Sequence, residues 1–373
     1  MCRRAPVFTE RTSIGMDVHA RSVRAAALDT VTGEVIEATV GPAVPLVVDW
    51  VRQLVEAGHG PVAVTYEAGP TGYGLARALA SAGIRCEVAA PSKLIRPSGD
   101  KVKTDKRDAL LLARLLRMEE IISVRVPTLT EEAARDLVRA RADVRGDLMS
   151  ARHRLGKLLL RHGHVYNGGE AWTGKHDAWL RQLRFDLAGT AAAFDLYYAR
   201  TTDLVTARKR LDGQIAVLAA DSEFTPVTRR LACLRGISTL TAFSLAVELG
   251  DWHRFTGSTI AAYLGLVPSE HSSGQSKNRG AITKAGNPHA RRLLIEAAWH
   301  HKAQYKPGKT MQDRWALAPA AAAERGDAGN RRLHRRWQAL TEHKKKHTVA
   351  NTAIARELAG WCWSLAVLET TTT

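Results

Sequence analysis

The sequence has 373 residues, 45% of them hydrophobic and 24% charged, which excludes a disordered chain and leaves room for two or three cores. Lys and Arg number 54 against 37 Asp and Glu, a formal charge of +17. Such a surplus suits a polyanionic partner such as DNA or RNA, the alternative being a solvated basic surface inherited from an arginine-rich composition. Cys2, Cys86, Cys233 and Cys362 are too widely spaced for a disulfide framework or a metal knuckle. With no signal-peptide core and no apolar run of membrane length, the expectation is a soluble cytoplasmic protein with no membrane partner.

In chain order, residues 13–18 (SIGMDV) and 22–29 (SVRAAALD) are strand-like runs joined by a short turn, and 35–40 (VIEATV) is a third. Val44, Leu46, Val47, Val51, Leu54 and Val55 recur at helical spacing across 44–57. Residues 62–68 predict a buried strand, 72–82 a helix closed by Gly83, and 85–90 a fifth strand. Beyond a proline-bounded loop, Thr104 opens a helix that runs to about Met118. Strands alternating with helices predict an α/β domain over residues 1–125.

Residues 126–224 differ in character. Leu137, Val144, Leu148, Leu155 and Leu158, then Tyr197, Leu204, Leu211, Ile215 and Leu218, make two stripes at helical or near-heptad spacing. Two such helices form an antiparallel coiled-coil-like hairpin or pair with another subunit, or they belong to a plain helical domain. Residues 225–373 predict a mostly helical domain broken by one Gly/Ser-rich loop from Pro268 to Gly280. Residues 318–330 (APAAAAERGDAGN) read as a frayed helix or surface linker.

Four carboxylates stand out. Asp17 and Glu67 each end an otherwise apolar strand, where an unpaired charge is costly. Asp105 and Asp108, three residues apart, share one face at the start of a helix. Taken singly each has a bland reading, as a turn residue, a helix-dipole partner or an ion pair with Lys103, Lys106 or Arg107. Taken together they could converge on Mg²⁺ or Mn²⁺, hard cations that take oxygen ligands and serve phosphodiester chemistry.

The stretches IGMDVHARS, TYEAGPTGYGLARAL and KTDKRDALLLARLL resemble the Asp-Glu-Asp-Asp set of a family of bacterial insertion-sequence transposases. The N-terminal domain of that family is similar to the RuvC resolvase, with an RNase-H-like fold. By this resemblance Asp17, Glu67, Asp105 and Asp108 are expected to be metal-binding catalytic carboxylates.

Residues 231–255 look like two helices joined at Gly236, either a helix-hairpin-helix whose backbone N–H groups hold DNA phosphates or an ordinary tight turn. The following segment, YLGLVPSEHSSGQSKNRGAITKAGNPHARRLL, places serines before Lys277, Arg279, Lys284, Arg291 and Arg292, cations suited to a phosphate. On residue types alone a serine before glycine is a turn residue. The segment nevertheless resembles the C-terminal domain of the same transposase family, in which a serine of this loop is the nucleophile joined to DNA. That implies Ser273, with Ser272 as competitor. The resemblance further implies donor and target DNA as partners, a structured guide ("bridge") RNA, a homo-oligomer (dimer or tetramer) and a bacterial, nucleoid-associated protein. The alternatives are a metal-dependent junction nuclease without serine chemistry, a sugar-kinase-like ATPase, for which a second phosphate loop is missing, and a non-catalytic nucleic-acid binder.

Overall fold

In the first unit of the computed structural model, Met1–Thr128, β1 (Thr12–Val18), β2 (Val23–Asp29) and β3 (Val35–Val40) form an antiparallel meander. Then α1 (Val44–Leu54), β4 (Val62–Glu67), α2 (Gly74–Ser81), β5 (Arg85–Ala89) and α3 (Asp105–Arg117) follow. The structure describes residues 8–95, 104–270 and 279–369. Strand order is β3-β2-β1-β4-β5, with the β1–β4 and β4–β5 pairs parallel.

The two-residue period of the strands sorts the faces. Ile14, Met16, Val64 and Tyr66 enter one core with Val47, Val51, Leu75 and Leu79 of α1 and α2. Gly15, on the opposite face, meets α3. The helix expected over 44–57 is shorter, because the chain widens into a turn over Val55–His59 with Gly58 at φ 93°. At the end of β2, buried Asp29 accepts from Arg11 Nε (2.9 Å) and lies 2.9 Å from His59 Nδ1. The Arg11 hydrogen bond, then that of His59, holds its carboxyl well below the usual range.

The second unit, Leu129–Thr373, starts with α4 (Leu129–Arg161), α5 (Gly174–Gln182) and α6 (Ala188–Ala220). α4 and α6, 33 residues each, are about 50 Å long at 1.5 Å per residue. They pack antiparallel: Arg141 pairs with Asp212 at 2.7 Å, while Leu155 clusters with Phe194 nearer the tip. After these come α7 (Thr225–Leu231), α8 (Thr239–Leu249), α9 (Thr259–Tyr263), β6 (Pro268–Glu270), β7 (Arg279–Ile282) and α10 (Pro288–Ala298). The chain closes with α11 (Lys309–Ala316), α12 (Ala320–Glu342) and α13 (His347–Ala366). Leu234, Ile237, Leu245, Leu294, Leu333, Ile354 and Leu358 lie at the centre of the core.

Of the two readings of 318–330 the helix holds and the surface linker does not: residues 320–330 belong to α12, with Ala322, Gly326, Gly329 and Asn330 buried. Their small side chains suggest a linker in isolation, but they let α12 lie against Cys233 and Trp361. Among the described residues no helix is long and apolar enough to cross a membrane.

Candidate active site

Adjacent parallel strands end side by side, so β1 and β4, paired through Met16 and Tyr66, deliver Asp17 and Glu67 to the same edge of the sheet. The face that carries Asp17 also carries Gly15, and Gly15 decides how close α3 can come. A Cβ there would lie 2.0 Å from the Ala109 carbonyl oxygen and 2.4 Å from the Ala113 nitrogen, distances no side chain tolerates. With hydrogen in its place, α3 packs backbone to backbone on β1 and its first turn reaches the strand ends. Thr104 caps that helix by accepting from the Arg107 amide, and Asp105 and Asp108 stand where the helix dipole favours negative charge.

Asp17, Glu67, Asp105 and Asp108 therefore line one hollow of about 80 Å³ together with Leu94 and Leu112. His19 lines it too. Its Nε2 lies 3.1 Å from Asp17 Oδ2 and 3.8 Å from Asp105 Oδ2, and one ligand atom from each of Asp17, His19 and Asp105 falls within 4.8 Å of the others. The residue types gave no separate reason to single out His19; only its position two residues after Asp17, past the strand end, could have suggested it. Lys106 turns away to Glu37 of β3, at 2.7 Å, so it does not neutralise the cluster.

The second predicted region is a β-hairpin. β6 and β7 pair through Pro268–Ile282 and Glu270–Arg279. The Ser272, Ser273 and Lys277 positions lie outside the described residues, as does the side chain of Arg279. What holds the hairpin is clear. Gly286, at φ 67°, sits where a Cβ would strike the Tyr263 carbonyl oxygen at 1.8 Å. Arg291 Nη1 donates to the carbonyls of Leu264 (3.0 Å) and Ala285 (2.7 Å), and Arg292 pairs with Glu296 at 3.1 Å. These two arginines, read from sequence as phosphate contacts, thus have protein partners. Lys284 is exposed, at φ 55°.

A buried carboxylate that sequence reading missed anchors the exit of the hairpin. Glu248 of α8, whose side chain is fully buried, accepts from Arg139 Nε (2.8 Å) and Nη2 (2.9 Å) and from Asn287 Nδ2 (2.6 Å), with His289 Nδ1 at 3.1 Å. Burial works to raise its pKa, but the hydrogen bonds from His289, Arg139 and Asn287 outweigh it and hold the carboxyl well below the usual range. Asn287 spends its amide oxygen on the N-cap of α10, accepting from the Ala290 amide at 3.0 Å. Beside the hairpin runs a groove of about 980 Å³ whose lining includes Pro268, Ile282, Arg336, Arg356, Trp361 and Trp363. The Gly236 turn joins α7 to α8 as expected, but its Arg235 amide donates to Asn330 Oδ1 at 2.8 Å, so that N–H is already used.

Comparison with known proteins decides the family. A profile described as the transposase IS116/IS110/IS902 family matches residues 228–316, and the DEDD transposase profile of the IS110 group matches residues 14–163. The chain belongs to the IS116/IS110/IS902 family of transposases. It is 32% identical to the transposase for insertion sequence element IS1533 of Leptospira borgpetersenii, over 89% of this chain and 97% of that protein. It is also 39% identical to y4qE of Sinorhizobium fredii, a transposase by name, over 81% of this chain and 74% of that one. Family membership implies DNA substrates and, through the DEDD domain, use of a divalent metal.

Proposed function

We propose that this family member is an insertion-sequence transposase that cuts and rejoins DNA, with Asp17, Glu67, Asp105 and Asp108 as metal-binding catalytic carboxylates and Ser273 as nucleophile. The observation that carries the reading is the convergence of those four carboxylates on one hollow at the ends of two parallel strands and one helix. The strand order β3-β2-β1-β4-β5 supports an RNase-H-like, RuvC-like domain over 1–125. Residues 126–224 then form the connecting hairpin and 225–373 the serine-bearing domain.

The donor set fits Mg²⁺ or Mn²⁺: hard carboxylate oxygens with one imidazole beside them, in a hollow close to the positive end of α3. When bound, such an ion neutralises phosphate charge and activates the attacking oxygen. Asp17 is fixed by the sheet, Asp105 and Asp108 by the first turn of α3, so the protein holds its ligands in place before substrate arrives.

In the serine step, Oγ of Ser273, or of neighbouring Ser272, attacks phosphorus. One P–O bond forms as the bond to the departing DNA oxygen breaks, the serine proton leaves, and the departing oxygen gains one. The phosphoester is conserved, so the reverse attack by another DNA end rejoins the strand without nucleotide hydrolysis. Lys277, Arg279, Lys284, Arg291 and Arg292 gather the phosphate, with Arg291 also holding the carbonyls of Leu264 and Ala285. The Trp361–Arg356 groove offers stacking and charge to the strand beside it. A structured guide RNA supplies sequence choice, and the protein works as a homo-oligomer, dimer or tetramer.

The test is recombination between donor and target plasmids, with and without RNA transcribed from the flanking element. Asp17→Ala and Ser273→Ala are each expected to abolish product, and wild type to leave a phenol-retained protein–DNA adduct. Cut but unjoined DNA from both Ser273→Ala and Ser272→Ala, with no adduct, would leave a metal-dependent junction nuclease instead.

A further inference from the structure

Two arginines on the long hairpin sit partly buried with no acceptor among the described residues. Arg152 of α4 and Arg208 of α6 each bury Nε without a hydrogen-bond partner, and no carboxylate among the described residues pairs with either. Elsewhere on the same helix pair Arg141 has Asp212 at 2.7 Å. Arg152 has instead the face of Trp172, 4.7 Å from the ring centre. Burial first, and then repulsion from Arg208, favours loss of its proton. Beside them His176 is buried against Trp172, ring centres 5.0 Å apart, and its Nδ1 also lacks a partner. Over residues 150–187 seven Arg and Lys face three Asp and Glu, and Asp212, one turn on from Arg208 in α6, is taken by Arg141.

Two like charges held half-buried together are destabilising, and apolar side chains of similar volume would cost less. The pair makes sense when an anion completes it. We propose that Arg152 and Arg208 form a binding site for a phosphate group of a nucleic-acid backbone, separate from the residues assigned to cutting and rejoining. Two planar guanidinium forks can each donate to phosphate oxygens, and the Trp172 face holds the Arg152 fork in place. A phosphate is favoured over a carboxylate from a second copy because a single phosphate group offers oxygens enough for both forks at once. The inference rests on the nucleic-acid handling in the proposed function, but on neither its metal nor its serine chemistry.

The experiment uses the full chain with two probes, a labelled duplex DNA and a labelled structured RNA of about 30 base pairs, titrated across a range of salt. Arg152→Met and Arg208→Met are expected to bind one or both probes about three- to tenfold more weakly near 0.1 M salt and to flatten the salt slope by about one each. The probe that is affected identifies the source of the phosphate. Both variants are also expected to melt about 2–4 °C higher, since each removes a charge the free protein leaves uncompensated. Arg154→Met, an exposed cation on the same helix, controls for general charge and should not raise the melting temperature. Lower melting temperatures in Arg152→Met and Arg208→Met would make the pair structural and overturn the inference. So would unchanged affinity with loss of the oligomer, which would assign the pair to a second copy's carboxylates. Wild type that binds neither probe would bring down the proposed function first.

Discussion

The carboxylate hollow and the serine hairpin are built in opposite ways. In the first, the four carboxylates themselves are set by the packing of one sheet and one helix, through Gly15. In the second, what is rigid is the frame: Gly286 against Tyr263, Arg291 on two carbonyls, and Glu248 on Asn287 and His289. A site made by close packing should fail abruptly when one atom is added. A site held by a polar frame should fail by degrees and respond to pH.

The sharpest way to break that comparison is Gly15→Ala. The added methyl would meet the Ala109 carbonyl at 2.0 Å, so either α3 moves away or the unit unfolds, at about 3 kcal/mol or more. Recombination is expected to fall by at least about a hundredfold, because small misplacements of catalytic groups are costly. Thermal unfolding and activity measured together would check it. A protein of normal stability and activity would mean that α3 is not held by this contact.

For the frame, Glu248→Ala leaves Arg139, Asn287 and His289 without their common acceptor, and the expected loss is about 3 kcal/mol. Denaturant unfolding gives the number. The carboxyl has a folded pKa below its unfolded one. Its contribution is therefore present above the unfolded value and lost as pH falls below about 4. Glu248→Gln keeps the shape and removes that acid-dependent part, so its stability should approach wild type only at low pH.

The two regions also differed in how far they could be read from sequence. Asp17 and Glu67 were conspicuous as charges closing apolar strands, and the 3-residue spacing of Asp105 and Asp108 placed both on one helix face. Gly15 was invisible, since a glycine in a strand says nothing of which helix will cover it. Glu248 was hidden for a related reason: its partners come from positions 139, 287 and 289, and no local spacing announces such a meeting. Arg291 and Arg292 look like phosphate ligands because cations after a serine loop suit that role, and the sequence did not show that each also has an acceptor within the protein. The small residues of 320–330 left helix and linker both open because close helix packing and linker flexibility call for the same amino acids.

A smaller effect tests the packing behind the Gly236 turn. His301 is fully buried, and neither ring nitrogen has a well-formed hydrogen bond among the described residues. Burial first, then the nearby Arg235 charge, pushes its pKa down to about 3. The unfolded chain takes up a proton near pH 6.5 that the folded one refuses. Stability from this group is complete above about 6.5 and is lost as pH falls toward 3. Up to a few kcal/mol is at stake. Thermal melts of wild type between pH 7 and 4 should therefore decline more steeply than those of His301→Leu. Parallel slopes would show that the imidazole is hydrated in the folded state.

Lys284 separates frame from function at the smallest scale. It is exposed and takes φ 55°, a left-handed conformation that costs a non-glycine residue roughly 1 kcal/mol. Glycine would be the natural choice if the turn from β7 to α10 were only structural. A lysine there implies a use for its charge, and the reading above gives it a DNA phosphate. Lys284→Gly should then stabilise the protein by about 0.5–1 kcal/mol while flattening the salt dependence of DNA binding by about one unit of slope. A gain in stability with an unchanged slope would remove Lys284 from the phosphate set and leave the left-handed lysine as mere strain. If stability does not rise, the strain is relieved elsewhere in the turn, and the polar frame is softer than its hydrogen bonds suggest.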